Sequence, residues 1–337
     1  MSFILPVRNE ASHVGAAIAS IQRAAENLSH AQIEIIVVDG ESDDETRDVV
    51  ASLSATDDRI RLLRNPKQSV PHAMNLGIRA ASGDIVIRVD GHAEIEPDFI
   101  VNALDELELH PECACVGGPI QNVDIGPVSK AISRAMSSPF GVGNARFRTG
   151  GQDGYVDTLA FGAYRKADIL AIGLFDETLI RNQDDELNYR LLQADRKIWF
   201  SNRIRSRYYV RSELGKLYRQ YFQYGYWKVY VNRKHNTVTS LRQLAPPVLV
   251  AGIVLLGVLG IFWSPARTEC ALLVGAYLLA AFVFALLTRP FAPRQSWLVM
   301  AAFVTLHFGY GLGYWRGLLD FTALGRAPAK RSGELSR

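Results

Sequence analysis

The sequence predicts an α/β fold with a mainly parallel sheet, followed by a helical region able to cross a membrane. Over residues 1–117, short apolar runs alternate with stretches of helical spacing. Most of those runs are continuously apolar, the pattern of strands covered on both faces. The last third holds three hydrophobic stretches, each near the ~20 residues that cross a hydrocarbon core.

The strand candidates are Ser2–Val7, Ile33–Asp39, Ile60–Arg64, Asp84–Val89 and Cys113–Gly117, most of them rich in Val and Ile. Between them, Ala11–Glu26, Glu45–Ser54, His72–Ala81 and Pro97–His110 read as helices. Asp43 or Asp44 can cap the second helix, and Pro71 after Ser69 suits the start of the third. In a parallel sheet of this kind the ligand lies beyond the carboxyl ends of the strands. That directs attention to Val7–Glu10, Asp39–Asp44 and Asp90–Glu94.

Residues 118–200 are less regular and rich in Gly, Asn and Asp up to Gly154. Asp184–Ala194 then reads as a helix and Lys197–Ser201 as a short strand. From Arg203 to Arg242 the chain carries ten Lys and Arg against one acid. Within it Tyr218–Tyr230 suits an interfacial helix, since Tyr and Trp favour the lipid–water boundary and cations pair with anionic headgroups. Leu244–Trp263 and Glu269–Thr288 form a helical hairpin of spanning length. Trp297–Leu319 is the third stretch, and it holds His307, Arg316 and several Gly. Arg326, Lys330, Arg331 and Arg337 favour a cytoplasmic tail, whereas three spans from a cytoplasmic domain would put it outside. A tilted or re-entrant third segment would resolve that conflict.

The charges divide in the same place. Of the 337 residues, the first 200 carry a net −11 and the rest a net +14. An acidic soluble part joined to a basic, apolar part points to a membrane surface, and the hydrophobic runs argue against nucleic acid. With 48% apolar and 21% charged residues the chain is neither disordered nor low in complexity. Three cysteines, Cys113, Cys115 and Cys270, cannot make a disulfide framework. Cys113 and Cys115, two apart on a strand, are expected to face the same way as small core residues in a reducing compartment. Met1 leads directly into a short apolar run followed by charges, which is no signal peptide, so the front part is expected in the cytoplasm.

Four constellations can carry chemistry. Pro6-Val7-Arg8-Asn9-Glu10 and Val38-Asp39-Gly40-Glu41-Ser42-Asp43-Asp44 leave two strand ends. A carboxylate such as Asp39 can accept from a base or sugar hydroxyl there, or merely cap a helix. Asp90-Gly91-His92 places an acid and an imidazole two residues apart, able to approach one divalent ion. Gly91 lets the backbone come close to a phosphate; a plain turn with a surface His is the alternative. Asn182-Gln183-Asp184-Asp185-Glu186 opens a helix with more acid than the helix dipole requires. Gln220-Tyr221-Phe222-Gln223-Tyr224-Gly225-Tyr226-Trp227-Lys228 can stack on sugars or sit at the bilayer surface.

In this order the constellations resemble the family-2 inverting glycosyltransferases of the GT-A fold, over roughly residues 1–235. Asp39 matches the first acid of that family's D-D-G-S-type motif, Asp90-Gly91-His92 stands at its D-x-D, and Gln183-Asp184 at its E-D. Gln223-Tyr224-Gly225-Tyr226-Trp227 is similar to its Q-x-x-R-W element. Membrane-bound glucosyltransferases of succinoglycan and related exopolysaccharide assembly carry similar D-G-H-A, N-Q-D-D-E-L-N-Y-R and Q-Y-F-Q-Y-G-Y-W-K stretches. There are departures. His92 replaces the second Asp, Met74 stands where many members have Arg, Gln183 replaces Glu, and Tyr226 replaces the Arg, which disfavours a processive synthase.

The resemblance implies a metal-dependent hexosyltransferase with a nucleotide-diphosphate sugar donor, UDP-glucose by likeness, and a lipid-linked saccharide acceptor. Asp184 would be the catalytic base; Pro6, Glu10, Asp39 and Asp90 would bind the nucleotide sugar. Asp90 and His92 would hold Mg²⁺ or Mn²⁺, and Gln223, Tyr226 and Trp227 would lie near acceptor and membrane. The expected division is a catalytic domain at 1–202, a basic aromatic segment at 203–243, helices at 244–320 and a basic tail at 321–337. The expected location is the inner or plasma membrane, multi-pass, with the catalytic domain cytoplasmic and other polysaccharide-assembly proteins as possible partners. The competing readings are a polyprenyl-phosphate sugar transferase, a processive polysaccharide synthase and a non-catalytic assembly partner.

Overall fold

The computed structural model describes residues 1–28, 32–124, 126–210, 213–239, 241–288 and 295–327. Lys330, Arg331 and Arg337 of the tail lie outside the described residues. From the amino end come β1 (Ser2–Val7), α1 (Val14–Ala25), β2 (Glu34–Asp39), α2 (Thr46–Ser54), β3 (Ile60–Arg64) and α3 (Val70–Ala80). Next are β4 (Ile85–Arg88), β5 (Ala93–Ile95), α4 (Phe99–Leu109), β6 (Cys113–Gly117) and β7 (Ile120–Val123). The middle gives α5 (Pro127–Met136), α6 (Pro139–Val142), α7 (Arg146–Thr149), β8 (Gly154–Tyr155), β9 (Ala163–Arg165) and α8 (Lys166–Ala171). Then α9 (Gln183–Gln193), β10 (Lys197–Phe200), β11 (Ser206–Tyr209) and α10 (Leu214–Lys234) precede α11 (Ala245–Phe262), α12 (Ser264–Leu287) and α13 (Ser296–Gly317).

The chain divides into two units: Met1–Val123 with Arg146–Tyr209, and Asp124–Ala145 with Val210–Arg337. Residues 124–145, read from the sequence as part of the catalytic domain, thus group with the C-terminal helices.

The first unit is built on an eight-stranded sheet of order β3-β2-β1-β4-β9-β6-β10-β8. β1, β2, β3, β4, β6 and β10 run one way, and only β9 and β8 oppose them. The sheet is therefore mainly parallel, as the apolar runs indicate. All of β1 is buried. Its Phe3 and Leu5 face one core with Ile18, Val37 and Ile100, and Ile4 faces the other with Ile36, Ile78 and Leu187. A three-stranded sheet, β5-β11-β7, lies in the same unit. The carboxyl ends of β1, β2 and β4 lie side by side, because β1 pairs in parallel with both neighbours.

One expectation is corrected here. Cys113 joins the first core and Cys115 the second, so they face opposite sides of the sheet. The register of β6 against β10 shifts between Lys197 and Ile198, which pair with Cys113 and Cys115. The extra residue is a bulge, and it reverses the alternation that spacing alone predicts. Burial pushes the Cys113 thiol up to about 12 and raises Cys115 as well, so both are inert.

In the second unit, α13 packs along α10 through glycines. Gly309, Gly313 and Gly317 abut the backbone carbonyls of Tyr218, Phe222 and Tyr226, and Gly225 abuts that of Tyr310. A methyl group at these positions would meet backbone within 3.0 Å, so only Gly permits the approach. α5 presents Ala131, Ile132, Ala135 and Met136 to Phe303 and Leu306 of α13. Among the described residues, three helices of this unit are long and apolar enough to cross a membrane: Leu241–Phe262, Ser264–Leu287 and Ser296–Ala323.

Candidate active site

The end of β1 organises the site. After Pro6 and Val7 the chain turns through Asn9, whose φ of 56° is left-handed. Asn tolerates that conformation because its side chain bonds locally: Asn9 Oδ1 accepts from Asp43 N at 3.0 Å. Asn9 N and Glu10 N donate to Ser42 Oγ and Thr46 Oγ1. The β1 turn is thereby tied to the turn after β2. Pro6 pairs in register with Val38 inside the sheet.

Asp39 ends β2 and is 1% exposed. Its two oxygens accept from Ser42 Oγ (2.5 Å) and Ser42 N (3.1 Å). The carboxylate thus builds its own turn while its remaining lone pairs stay available for a further donor. Asp44, not Asp43, serves the second helix: its Oδ1 accepts from Thr46 N.

Asp90 follows β4. A methyl group on Gly91 would lie 2.9 Å from both Glu10 Cγ and Val7 Cγ1, so glycine is what lets this turn close on the end of β1. His92 Nδ1 lies 2.9 Å from Glu10 Oε1, and its ring meets Tyr208 edge-on. With Nδ1 engaged by the carboxylate, Nε2 is the nitrogen left for a ligand. Among the described residues no three His, Cys, Asp or Glu side chains gather into a metal-binding group. One carboxylate and one carboxylate-held imidazole are donor types that a divalent ion accepts when substrate phosphates and water complete its shell.

Arg88, the last residue of β4, is a site residue that the motifs in the sequence do not single out. Its Nε donates to Asp90 Oδ1 at 2.8 Å, and it is 9% exposed. Burial works against its charge, yet Asp90 and then Asp184 outweigh this and hold the guanidinium protonated. Its Nη1 is buried without a hydrogen-bond partner among the described residues. The available signal was one cation inside the apolar run Ile85-Val86-Ile87-Arg88-Val89.

Asp184 sits in the first turn of α9, after Asn182 in a left-handed conformation. Its carboxyl is partly exposed at the surface but hemmed in by protein. That burial raises its pKa, Arg88 opposes the rise, and Asp185 adds to it. Glu186 is fully buried and paired with Arg190, which also donates to the carbonyls of Ile172 and Leu174. Gln183 is buried with its Oε1 unpaired among the described residues. Glu10, Asp39, Asp90 and His92 thus lie beyond the carboxyl ends of neighbouring strands, and the charge of Arg88 there acts on Asp184 of α9. Gln223, Tyr226 and Trp227 belong to α10 of the other unit. There Trp227 is fully buried and packs near Phe321, and Tyr226 Oη donates to Asp320. Both side chains are committed to helix packing.

The sequence profile of glycosyl transferase family 2 matches residues 2–169. Succinoglycan biosynthesis protein ExoA of Rhizobium meliloti is 32% identical over 321 residues, 94% of each chain. A second relative is the dolichyl N-acetyl-alpha-D-glucosaminyl phosphate 3-beta-D-2,3-diacetamido-2,3-dideoxy-beta-D-glucuronosyltransferase of Methanococcus voltae. It is 28% identical over 245 residues, 69% of this chain and 74% of that one. Among solved structures, mannosyltransferase PcManGT from Pyrobaculum calidifontis, in complex with GDP-Man and Mn²⁺, superposes with a TM-score of 0.58. Its identity is 18%, covering 90% of this chain and 86% of that one.

Proposed function

Because the chain belongs to glycosyl transferase family 2, we propose that it is a membrane-anchored inverting enzyme moving a hexose onto a lipid-linked saccharide. The observation that carries the reading is Arg88, which donates to Asp90 at the end of β4 and whose charge also acts on Asp184 at the start of α9. One carboxylate suited to the donor's diphosphate and one suited to a proton thus share the influence of one buried cation. Relatives named for succinoglycan biosynthesis and for transfer to a dolichyl-linked sugar support the acceptor class. UDP-glucose is the proposed donor.

Asp184 is the proposed base. It takes the proton of the acceptor hydroxyl as that oxygen attacks the anomeric carbon from the side opposite the diphosphate. The bond from that carbon to the diphosphate breaks, and the nucleoside diphosphate leaves with the electron pair, inverting the centre. Asp39 and Glu10, at the ends of β2 and β1, would receive the nucleoside with Pro6 shaping the strand end. Asp90 and His92 would hold Mg²⁺ or Mn²⁺, and such an ion supplies positive charge for the departing diphosphate. The apolar helices α11 and α12 would anchor the chain in the plasma membrane, catalytic unit in the cytoplasm, with 203–243 at the headgroups.

The test is a donor screen with the full chain in detergent, reading nucleoside diphosphate release against lipid-linked saccharide and against polyprenyl phosphate. Release from UDP-glucose only with the lipid-linked saccharide is the expected result. Transfer to polyprenyl phosphate alone would overturn the acceptor, and no release from any donor would overturn the activity.

A further inference from the structure

The three apolar helices are not three parallel spans. α11 and α12 form an antiparallel hairpin in which Gly260 lies against Arg267 and Gly252 against Leu273. That pairing sets Pro246–Val250 of α11 at the same height as the stretch around Tyr277 on α12. Among the described residues, the ring, hydrogen-bond and glycine contacts of α13 with the hairpin gather there and toward Ala285. Trp297 packs on Phe282, His307 Nδ1 lies 3.0 Å from Tyr277 Oη, Gly311 abuts Pro246, and Trp315 Nε1 donates to Pro247 O at 2.8 Å. Between Trp297 and Trp315 a helix advances ~27 Å. Run alongside the hairpin, α13 would sweep most of its length. Instead its contacts stay within one or two turns at one end, passing from α12 to α11. α13 therefore crosses the base of the hairpin transversely.

Burial agrees. The buried residues of the hairpin are Pro247, Val250, Ala281 and Ala285 at this base, apart from Gly260 and Ala266 near the turn. Beyond the base Val254, Leu255, Val258, Ile261 and Phe262 stand 52–87% exposed. More than half of the apolar window of α13, by contrast, is enclosed by protein. Its companions are also interfacial in character: α10 carries Arg219, Arg233 and Lys234 among tyrosines, and α5 carries Lys130 and Arg134 beside its apolar face. A helix ringed with Trp, Tyr and cations belongs at the lipid–water boundary, not in the hydrocarbon core.

We propose that only the α11–α12 hairpin crosses the bilayer, and that α13 lies in the plane of the headgroup–acyl boundary beside α10. The lipid it meets there is anionic, matched to the basic residues that α10 carries, the exposed Arg219 among them. With one hairpin crossing, the chain returns to the side it left, and Arg326 and the basic tail lie on the side of Arg242. The conflict between three spans and the positive tail disappears. This inference rests on the membrane anchoring proposed above.

The test places single cysteines at the exposed positions Thr237, Ser264 and Thr322 in the full chain with Cys270→Ala, Cys113 and Cys115 being buried. Labelling uses a membrane-impermeant maleimide on intact and on permeabilised cells. A fluorescent protein or alkaline phosphatase fused after Arg337 reports the tail independently. The expected result is Thr237→Cys and Thr322→Cys protected together until permeabilisation, Ser264→Cys labelled from outside, a bright fluorescent fusion and an inactive phosphatase. An active phosphatase, or Thr322→Cys labelled from outside, makes α13 a span and overturns the inference. Protection of Ser264→Cys until permeabilisation also overturns it, because the hairpin then does not cross. Recovery of the chain in the soluble fraction would instead remove the anchoring itself.

Discussion

Arg88 Nε donates to Asp90 Oδ1 across 2.8 Å, and the charge of the same guanidinium acts on Asp184. A cation this deep persists only where carboxylates offset its desolvation, and here two do so from different elements. The pair at the end of β4 is thus coupled to the first turn of α9. Tyr164 of β9, whose hydroxyl donates to Asn188 Oδ1 of α9, lies beside them and is buried too.

The first prediction concerns pH. Burial raises the pKa of Asp184, Arg88 draws it back and Asp185 pushes it up. Activity that needs ionised Asp184 falls as pH drops through that value. Arg88→Met removes the attraction, so the acid limb of kcat should move to higher pH, with activity regained on raising the pH; Arg88→Lys should move it less. Rate profiles of the three enzymes at saturating substrates decide the matter. A limb in the same place for Arg88→Met would detach Arg88 from the base.

The second concerns the ion. Turnover should vanish in excess EDTA and return with Mn²⁺ at least as well as with Mg²⁺, since imidazole suits the less hard ion. His92→Ala should weaken Mn²⁺ binding. Glu10→Ala, which frees the His92 ring, should weaken it by about 10–100-fold, the usual effect of removing a partner that orients a ligand. Titrating Mn²⁺ by its paramagnetic resonance signal with nucleoside diphosphate present reads both variants without turnover. Full activity in EDTA after exhaustive metal removal would discard the role.

What the sequence showed was what depends on local pattern. Strand ends near Asp39 and Asp90 follow from apolar runs stopped by Gly and acids, and β1, β2, β3, β4, β6 and β10 match the candidate strands within a residue, whereas β5, β7, β8, β9 and β11 are not among those candidates. What it hid depends on partners distant in the chain. The bulge that separates Cys113 from Cys115 exists only against β10. The apolar face of α5 looks like that of any short helix until Phe303 and Leu306 cover it. Tyr226 and Trp227 read as exposed aromatics because nothing nearby in sequence shows that Phe321 and Asp320 enclose them. Arg88 was visible as a misfit in its strand, but its second partner lies almost a hundred residues later.

A third prediction tests the scaffold. Glu34 opens β2, and its Oε1 accepts from Ser2 Oγ, Ser82 N and Ser82 Oγ. Desolvation opposes ionisation there, but the bonds from Ser82 and Ser2 prevail and push the pKa down from 4.5 to about 2. A depressed acid contributes stability above its unfolded pKa and loses it as pH falls through the folded one. Between pH 4.5 and about 2, wild type should lose about 1 kcal/mol more than Glu34→Gln, because solvent screens a partly exposed carboxylate. Thermal unfolding of both full chains in detergent across that range measures the difference. Parallel curves would deny Glu34 this part.

The last prediction concerns the base itself. Asp184 and Asp185 are neighbours in the first turn of α9, and both would favour the helix dipole equally well. Asp184 is the residue whose pKa burial raises, against the opposing charge of Arg88. Asp184→Asn keeps the shape and the acceptor for Asp185 N, so donor binding and helix structure should persist. It removes proton acceptance, and turnover should fall by ~10²–10⁴-fold. Asp185→Asn should cost far less. Glu186 is not an informative control, because breaking its buried pair with Arg190 would release the carbonyls of Ile172 and Leu174 and disturb the fold. The comparison is therefore kcat for Asp184→Asn against Asp185→Asn at saturating donor and acceptor, with donor affinity measured alongside. Equal losses would assign the effect to the acidity of the helix start. Near-normal turnover in Asp184→Asn would take Asp184 out of the mechanism and leave Arg88 as a structural counter-ion alone.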